Sequence, residues 1–376
     1  MQTTTSPKHH HHPCTFIQPQ LLHHISTSPS APSQARAAAT HTLTLTHEIH
    51  HTRASPSTTP ILTLQLTPHP LTLAIHDCHH NRTLPGVLIH TTTTTSSSPS
   101  TTHHPTTNTL YTNLTITLHF LSSILGRKSI DNDNLHLTAC LHYDNHLCNA
   151  FWTGREIIFG DGDGIYFSSF PENLDVVAHE LMHGVTEYTA GLLYEGESGA
   201  LSESISDVFA CVITQWHLNQ TVNEADWVVG RGIWAGYKGK EGGGGGGVAL
   251  RSLKSPGTAY NDPVLGRDSQ PDHMSGFVCT EEDNGGVHVN SGIPNRAFYC
   301  AAVGFGGWVW EKAAVVWYRT LLDPRVEPNC GFVRFACVTV DVAEGLFGAW
   351  AGGVVRRALM EVGVEVRDLV WTLEGF

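Results

Sequence analysis

Two imidazoles and a carboxylate interrupt the otherwise apolar run VVAHELMHGV, residues 176–185. His179 and His183 lie four apart, so on a helix both rings project from one face and converge on a single ion, with Glu180 beside them. Neutral imidazole is a good zinc donor, and a hydrolytic zinc site takes three protein ligands and leaves one position for water. A third ligand is therefore required. Downstream, Leu201, Ile205, Val208, Phe209, Val212, Ile213 and Trp216 form an apolar stripe at helical spacing, with Glu203 and Asp207 together opposite it. Their neighbours Ser202, Ser206 and Ala210 are small, which permits close packing against the first helix. Glu203 then completes the metal shell, and Asp207, one turn on, accepts a hydrogen bond from a ligand imidazole and fixes its tautomer.

The charge distribution agrees. From Glu156 to Gly230 there is no Lys or Arg, yet the window carries thirteen carboxylates, so a divalent cation supplies charge that no local base does. Residues 1–150 hold only 6 Lys+Arg and 5 Asp+Glu, and the remainder 15 and 29. A net charge of -13 with no basic face excludes nucleic acid as the partner. No stretch reaches the roughly 18 uncharged apolar residues of a membrane span, so no membrane insertion is expected. The first thirty residues show no cleavable signal. Nine scattered cysteines without a CxxC pair favour buried thiols over a disulfide framework.

The elements that must carry these groups divide in two. TLTLT (42–46), ILTLQL (61–66) and LTITLHF (114–120) alternate apolar with polar and predict strands, separated by loop or disordered tracts such as HHHH (9–12) and TTTTTSSSPSTTHHPTT (91–107). DNDN and FGDGDG (159–164) read as turns, and KGKEGGGGGG (238–247) as a flexible insertion. Later, Trp310, Ala313, Ala314, Trp317 and Leu321 follow a helical period. The fold class is α+β, with a β-rich domain at 56–172, a mainly α-helical domain at 173–376 and the metal at their junction.

The stretch VVAHELMHGVTEYTAGLLYEGESGALSESISDVF resembles the active-site region of the thermolysin family of zinc endopeptidases, and the metzincin pattern fails at Thr186 and Thr189. NAFWTG (149–154), RSLKSPGTAYNDP (251–263) and EDNGGVHVNSGIPNRAFY (282–299) extend the likeness. The resemblance implies one zinc ion on His179, His183 and Glu203, proton transfer by Glu180, oxyanion contacts from His288 and Tyr194, and Asp283 orienting His288. It assigns Asn149, Ala150 and Arg251 to the substrate backbone. It also places Phe167, Phe170, Val176 and Leu250 in an apolar pocket for the side chain after the scissile bond, hence cleavage before bulky hydrophobic residues.

Departures from the family are informative. Acids that bind calcium in relatives are replaced by Thr214, Val228 and Arg231, although Asp175 and Asp226 remain, so calcium is expected absent or reduced. Ser202 stands where many relatives carry an asparagine that supports a zinc histidine. CTFIQPQLLHHIS (14–26) resembles the short pro-segment of protealysin-like members, which implies that residues 1–55 are a removable, partly disordered inhibitor over the cleft, with Cys14 offered to zinc. Peptides or proteins are the expected substrates. Secretion is the family habit and the expectation here, and the missing signal leaves the cytoplasm as the alternative. A catalytically silent zinc-stabilised binding protein and an exopeptidase use the same scaffold; Glu180, which a binding protein does not need, separates the first from the hydrolase.

Overall fold

The computed structural model of the chain describes residues 14–53, 72–93, 104–235 and 249–367. Its first elements are β1 (Cys14–Thr15), α1 (Pro19–Thr27) and α2 (Ser33–Arg53). TLTLT is therefore helix, contrary to the strand expected from its alternation. The reason lies in its surroundings: Ala35, Ala38, Ala39, Thr42 and Leu45 are buried at spacings of three and four, one face of a helix. LTITLHF is corrected in the same way. It lies in α3 (Pro105–Ser123), whose buried Leu110, Leu114, Thr117, Leu118 and Leu121 again follow the helical period. ILTLQL, HHHH and KGKEGGGGGG fall outside the described residues.

A six-stranded sheet is built from β1, β2 (Thr72–Asp77), β3 (Val87–Thr93), β4 (Leu137–Leu141), β5 (Ala150–Trp152) and β6 (Glu156–Phe159), in the order β1-β5-β6-β4-β2-β3. β3 takes in residues 91–93 of the expected loop tract. β2, β4 and β6 run parallel as neighbours, while β3 and β5 pair antiparallel on either side of them. β1, from the N-terminal segment, adds antiparallel to β5, with Cys14 opposite Trp152 and Thr15 opposite Phe151.

The helical half comprises α4 (Leu174–Glu187), α5 (Gly196–Leu218), α6 (Asp283–Asn290), α7 (Gly292–Phe305), α8 (Ala313–Leu321), α9 (Phe332–Phe347) and α10 (Ala349–Glu361). The α+β architecture matches expectation. One continuous apolar core joins both halves, from Phe16 and Leu73 through Val177 and Phe209 to Leu359. α4 runs through its centre, so polar groups on this helix are desolvated unless they meet one another. No helix among the described residues is long and apolar enough to cross a membrane, and no disulfide forms among them.

Candidate active site

α4 and α5 pack along each other and bring their polar faces together inside the core. Gly199, one turn before Glu203, permits the approach of α6 to α5: a Cβ there would lie 2.4 Å from Val287 Cγ1. His179 Nε2 and His183 Nε2 are 3.0 Å apart, and Glu203 reaches them at 3.5 Å (Oε2) and 3.4 Å (Oε1). All three residues are fully or almost fully buried.

Three donors facing one point with no bulk water fit a tetrahedral cation and one further ligand. Glu203 Oε2 and both oxygens of Glu180 are buried without a hydrogen bond, an expensive arrangement for carboxylates unless a cation or a reacting molecule meets them. The residues present therefore fit zinc.

The surrounding contacts orient the donors. Asp207 Oδ1 lies 3.0 Å from His179 Nδ1, as the sequence suggested, and Ser202 Oγ lies 3.4 Å from His183 Nδ1. Asp207 also receives Arg251, at 2.7 Å from Nε, and Asn295 Nδ2 at 2.9 Å. Burial opposes ionisation of Asp207, but Arg251 and His179 outweigh it and hold the carboxyl below its ordinary value. Burial, with the charge of Glu203 adding, pushes Glu180 up to about 8 against the opposing pull of His179 and Arg251. A carboxyl so placed is matched to proton exchange near neutral pH.

On the opposite wall, His288 comes from α6, whose start is kinked through Asn284, Gly285 and Gly286 at φ 49, 83 and 76. Glycine suits the last two positions because they require left-handed backbone. His288 Nδ1 donates to Asp283 Oδ1 at 2.6 Å, and Asp283 Oδ2 accepts the His288 backbone N–H at 3.0 Å. Burial alone would depress this imidazole; Asp283 and Glu203 raise it to about 9, so both ring nitrogens donate at neutral pH. Tyr194 Oη donates to Glu203 Oε1 at 2.5 Å and lies 3.4 Å from His288 Nε2.

A peptide already lies between these walls. Thr15 O accepts from His288 Nε2 at 2.7 Å, Phe16 N donates to Ala150 O at 3.2 Å, Phe16 O accepts from Arg251 Nη1 at 2.8 Å, and Ile17 N donates to Asn149 Oδ1 at 2.8 Å. Asn149, Ala150 and Arg251, expected to hold a backbone, each hold one, and it belongs to this chain. The Phe16 ring is fully buried, edge-on to His179 (5.1 Å) and Phe170 (6.4 Å), with the Arg251 guanidinium 4.9 Å over its face. Cys14 packs with Tyr194 and Val287 and is not among the three converging donors; burial, then Glu203 and Glu180, push its thiol up.

Sequence reasoning missed Phe16, whose role depends on contacts far along the chain, from Ala150 to Arg251, and Asn295, a buried amide among Ile293, Ala297 and Phe298. A polar residue on the apolar face of α7 was the available signal for Asn295.

The comparisons with known proteins agree with this geometry. The sequence profile described as thermolysin metallopeptidase, catalytic domain, matches residues 40–187, and that of the alpha-helical domain matches 190–364. The chain is 42% identical over 358 residues to an extracellular metalloprotease of Pectobacterium carotovorum subsp. carotovorum, covering 94% of this chain and 97% of that one. It is 36% identical over 258 residues to a thermolysin of Alicyclobacillus acidocaldarius subsp. acidocaldarius, covering 66% and 43%. Among solved structures, the precursor of protealysin, a metalloproteinase from Serratia proteamaculans, superposes with a TM-score of 0.81 at 39% identity, covering 94% of this chain and 100% of that one.

Proposed function

The chain belongs to the thermolysin family of zinc metalloendopeptidases, and from that premise we propose that His179, His183 and Glu203 hold its catalytic zinc ion while residues 1–55 form an inhibitory pro-segment laid through the cleft like a substrate. Zinc bound there supplies the Lewis acidity that makes water nucleophilic near neutral pH and polarises a carbonyl. Glu180 takes the proton of the attacking water and delivers it to the departing amine. His288, doubly protonated against Asp283, and Tyr194 donate to the carbonyl oxygen as it gains charge. Asp207 keeps His179 oriented. Asn149, Ala150 and Arg251 hold the backbone beyond the reacting bond.

The contacts of Thr15, Phe16 and Ile17 are the observation that carries this reading. Thr15 O rests on the residue assigned to the oxyanion, and Phe16 fills an apolar pocket against Phe170. The chain continues in both directions from that point, which favours an endopeptidase over an exopeptidase. We assign Phe167, which stacks on Phe170 at 6.0 Å, with Val176 and Leu250 to the same pocket, and a large apolar residue after the cleaved bond follows from that assignment.

Calcium is absent from the helical half on this proposal, because Asp226 is paired with Arg231 at 3.1 Å and Asp175 accepts Gly230 N at 2.7 Å. The Pectobacterium relative is named an extracellular metalloprotease, which favours secretion.

Casein hydrolysis with and without a chelator, repeated with Glu180→Ala, tests the chemistry; activity that survives both removes it. Sequencing the products of a denatured protein mixture tests the pocket, which is discarded if cleavage is as frequent before Asp or Gly as before Phe and Leu.

A further inference from the structure

Three adjacent parallel strands end on one side of the sheet, and each is followed by a metal-ligating side chain. β2 leads to His80, β4 to His142 and β6 to Asp161. Parallel pairing in register, Asp77 beside Leu141 and Cys140 beside Ile158, brings the three exits together. Loops at the carboxyl ends of parallel strands are where such sheets gather ligand-binding groups.

We infer that His80, His142 and Asp161 form a second, solvent-facing binding site for a divalent transition-metal ion, zinc being the natural occupant for two imidazoles and a carboxylate. His142 Nδ1 lies 2.9 Å from both oxygens of Asp161, His80 Nδ1 lies 3.5 Å from Asp161 Oδ2, and the three donor atoms all fall within 4.8 Å of one another. Donors about 2.0–2.2 Å from a tetrahedral ion stand roughly 3.4 Å apart, so the group closes around zinc with small side-chain adjustments.

The loops are built to hold this arrangement. His80 and His142 take left-handed backbone, φ 58 and 50, and the His80 amide donates to the His142 carbonyl at 2.8 Å, tying the two loops together. Non-glycine residues in that region are costly and cluster at ligand-holding sites. The His142 and Asp161 side chains are 16% and 26% exposed and His80 51%, so solvent ions reach the site. The exposed His104, its ring 5.3 Å from that of His142, stands beside it as a further donor. Neighbouring Asp163 does the turn work expected of FGDGDG, accepting the backbone N–H groups of Ile165, Tyr166 and Phe167. Asp161 is left for the imidazoles.

The test titrates chelator-stripped full-length chain with zinc chloride, counts zinc per chain after gel filtration, and repeats the titration with cobalt to read its visible absorption. Two equivalents are expected for the unmodified chain, with one remaining in Asp161→Asn and in His142→Ala. In His80→Ala the second equivalent should bind at least ten-fold more weakly. The retained first equivalent, and unchanged peptide hydrolysis once each variant has matured, show that each variant is folded, and the exposed His80 variant serves if His142→Ala is unstable. A chain with His9, His10, His11 and His12 all replaced by Ala should still bind two. The inference is overturned if the unmodified chain binds one equivalent, if the second survives undiminished in Asp161→Asn and His80→Ala, or if it vanishes with the histidine tract.

Discussion

Asp207 lies 3.0 Å from His179, and Asp161 lies 2.9 Å from His142. In the cleft the pair is wholly buried, and Arg251 and Asn295 also answer to Asp207. At the strand ends the same chemistry keeps one side open to water. Solvent can replace a lost partner at Asp161 and cannot at Asp207. An acid–imidazole contact is thus a fixed part of the fold in one place and an exchangeable binding group in the other, and burial decides which.

The largest effect should come from the cleft. In mature protein, Glu180→Gln should lower kcat/KM by about 10²–10⁴-fold while zinc content stays the same, because Glu180 stands beside the three donors and is not one of them. Peptide hydrolysis and metal analysis read both quantities, and a variant that keeps most of its activity dissolves the contrast. Next, Asp207→Asn should cost about 3–5 kcal/mol in urea unfolding, since it leaves Arg251 buried without its partner charge, and should weaken zinc binding about 10–100-fold. Asp161→Asn in metal-free protein should cost no more than about 1 kcal/mol. Equal costs for the two would refute the role given to burial.

Phe16→Ala empties the pocket beside His179 and should weaken seating of the N-terminal segment by about 3 kcal/mol, at the low end for a buried aromatic because the site opens to water once the segment lifts. Faster appearance of activity during maturation is the readout. The smallest effect concerns the seat of α2, where Asp144 meets His41 at 3.1 Å and Arg82 at 2.6 Å, and Arg82 also meets Glu48. Burial opposes ionisation of Asp144, but the Asn145 amide and Arg82 hold its carboxyl below the ordinary value. A depressed acid stabilises fully above its unfolded pKa, near 3.9, and the contribution is lost as pH falls through the folded value. Protease nicking of α2 should therefore rise modestly below pH 4, and Asp144→Asn should remove that pH dependence.

The two polar helices of the cleft were legible because the first sets two imidazoles four apart in an apolar run, the second carries an apolar stripe from Leu201 to Trp216, and their charged groups had no basic neighbours. α2 and α3 were not, because the alternation in TLTLT and LTITLHF extends over only five and seven residues, and a window that short fits a strand and a helix alike. Thr42 and Thr117, buried at helical spacing, look polar in sequence and behave as core. The ligand pair on α4 follows from local geometry. The seating of Phe16 and the meeting of His80, His142 and Asp161 depend on which strands become neighbours, which no local pattern specifies.

Removal of β1 would leave β5 as the rim of the sheet, with ladder positions that accept only a fully stretched backbone. A coiled or helical target must first surrender several residues to that shape. The enzyme would then sample loosened regions of other proteins, and its cutting pattern would chart where they come apart.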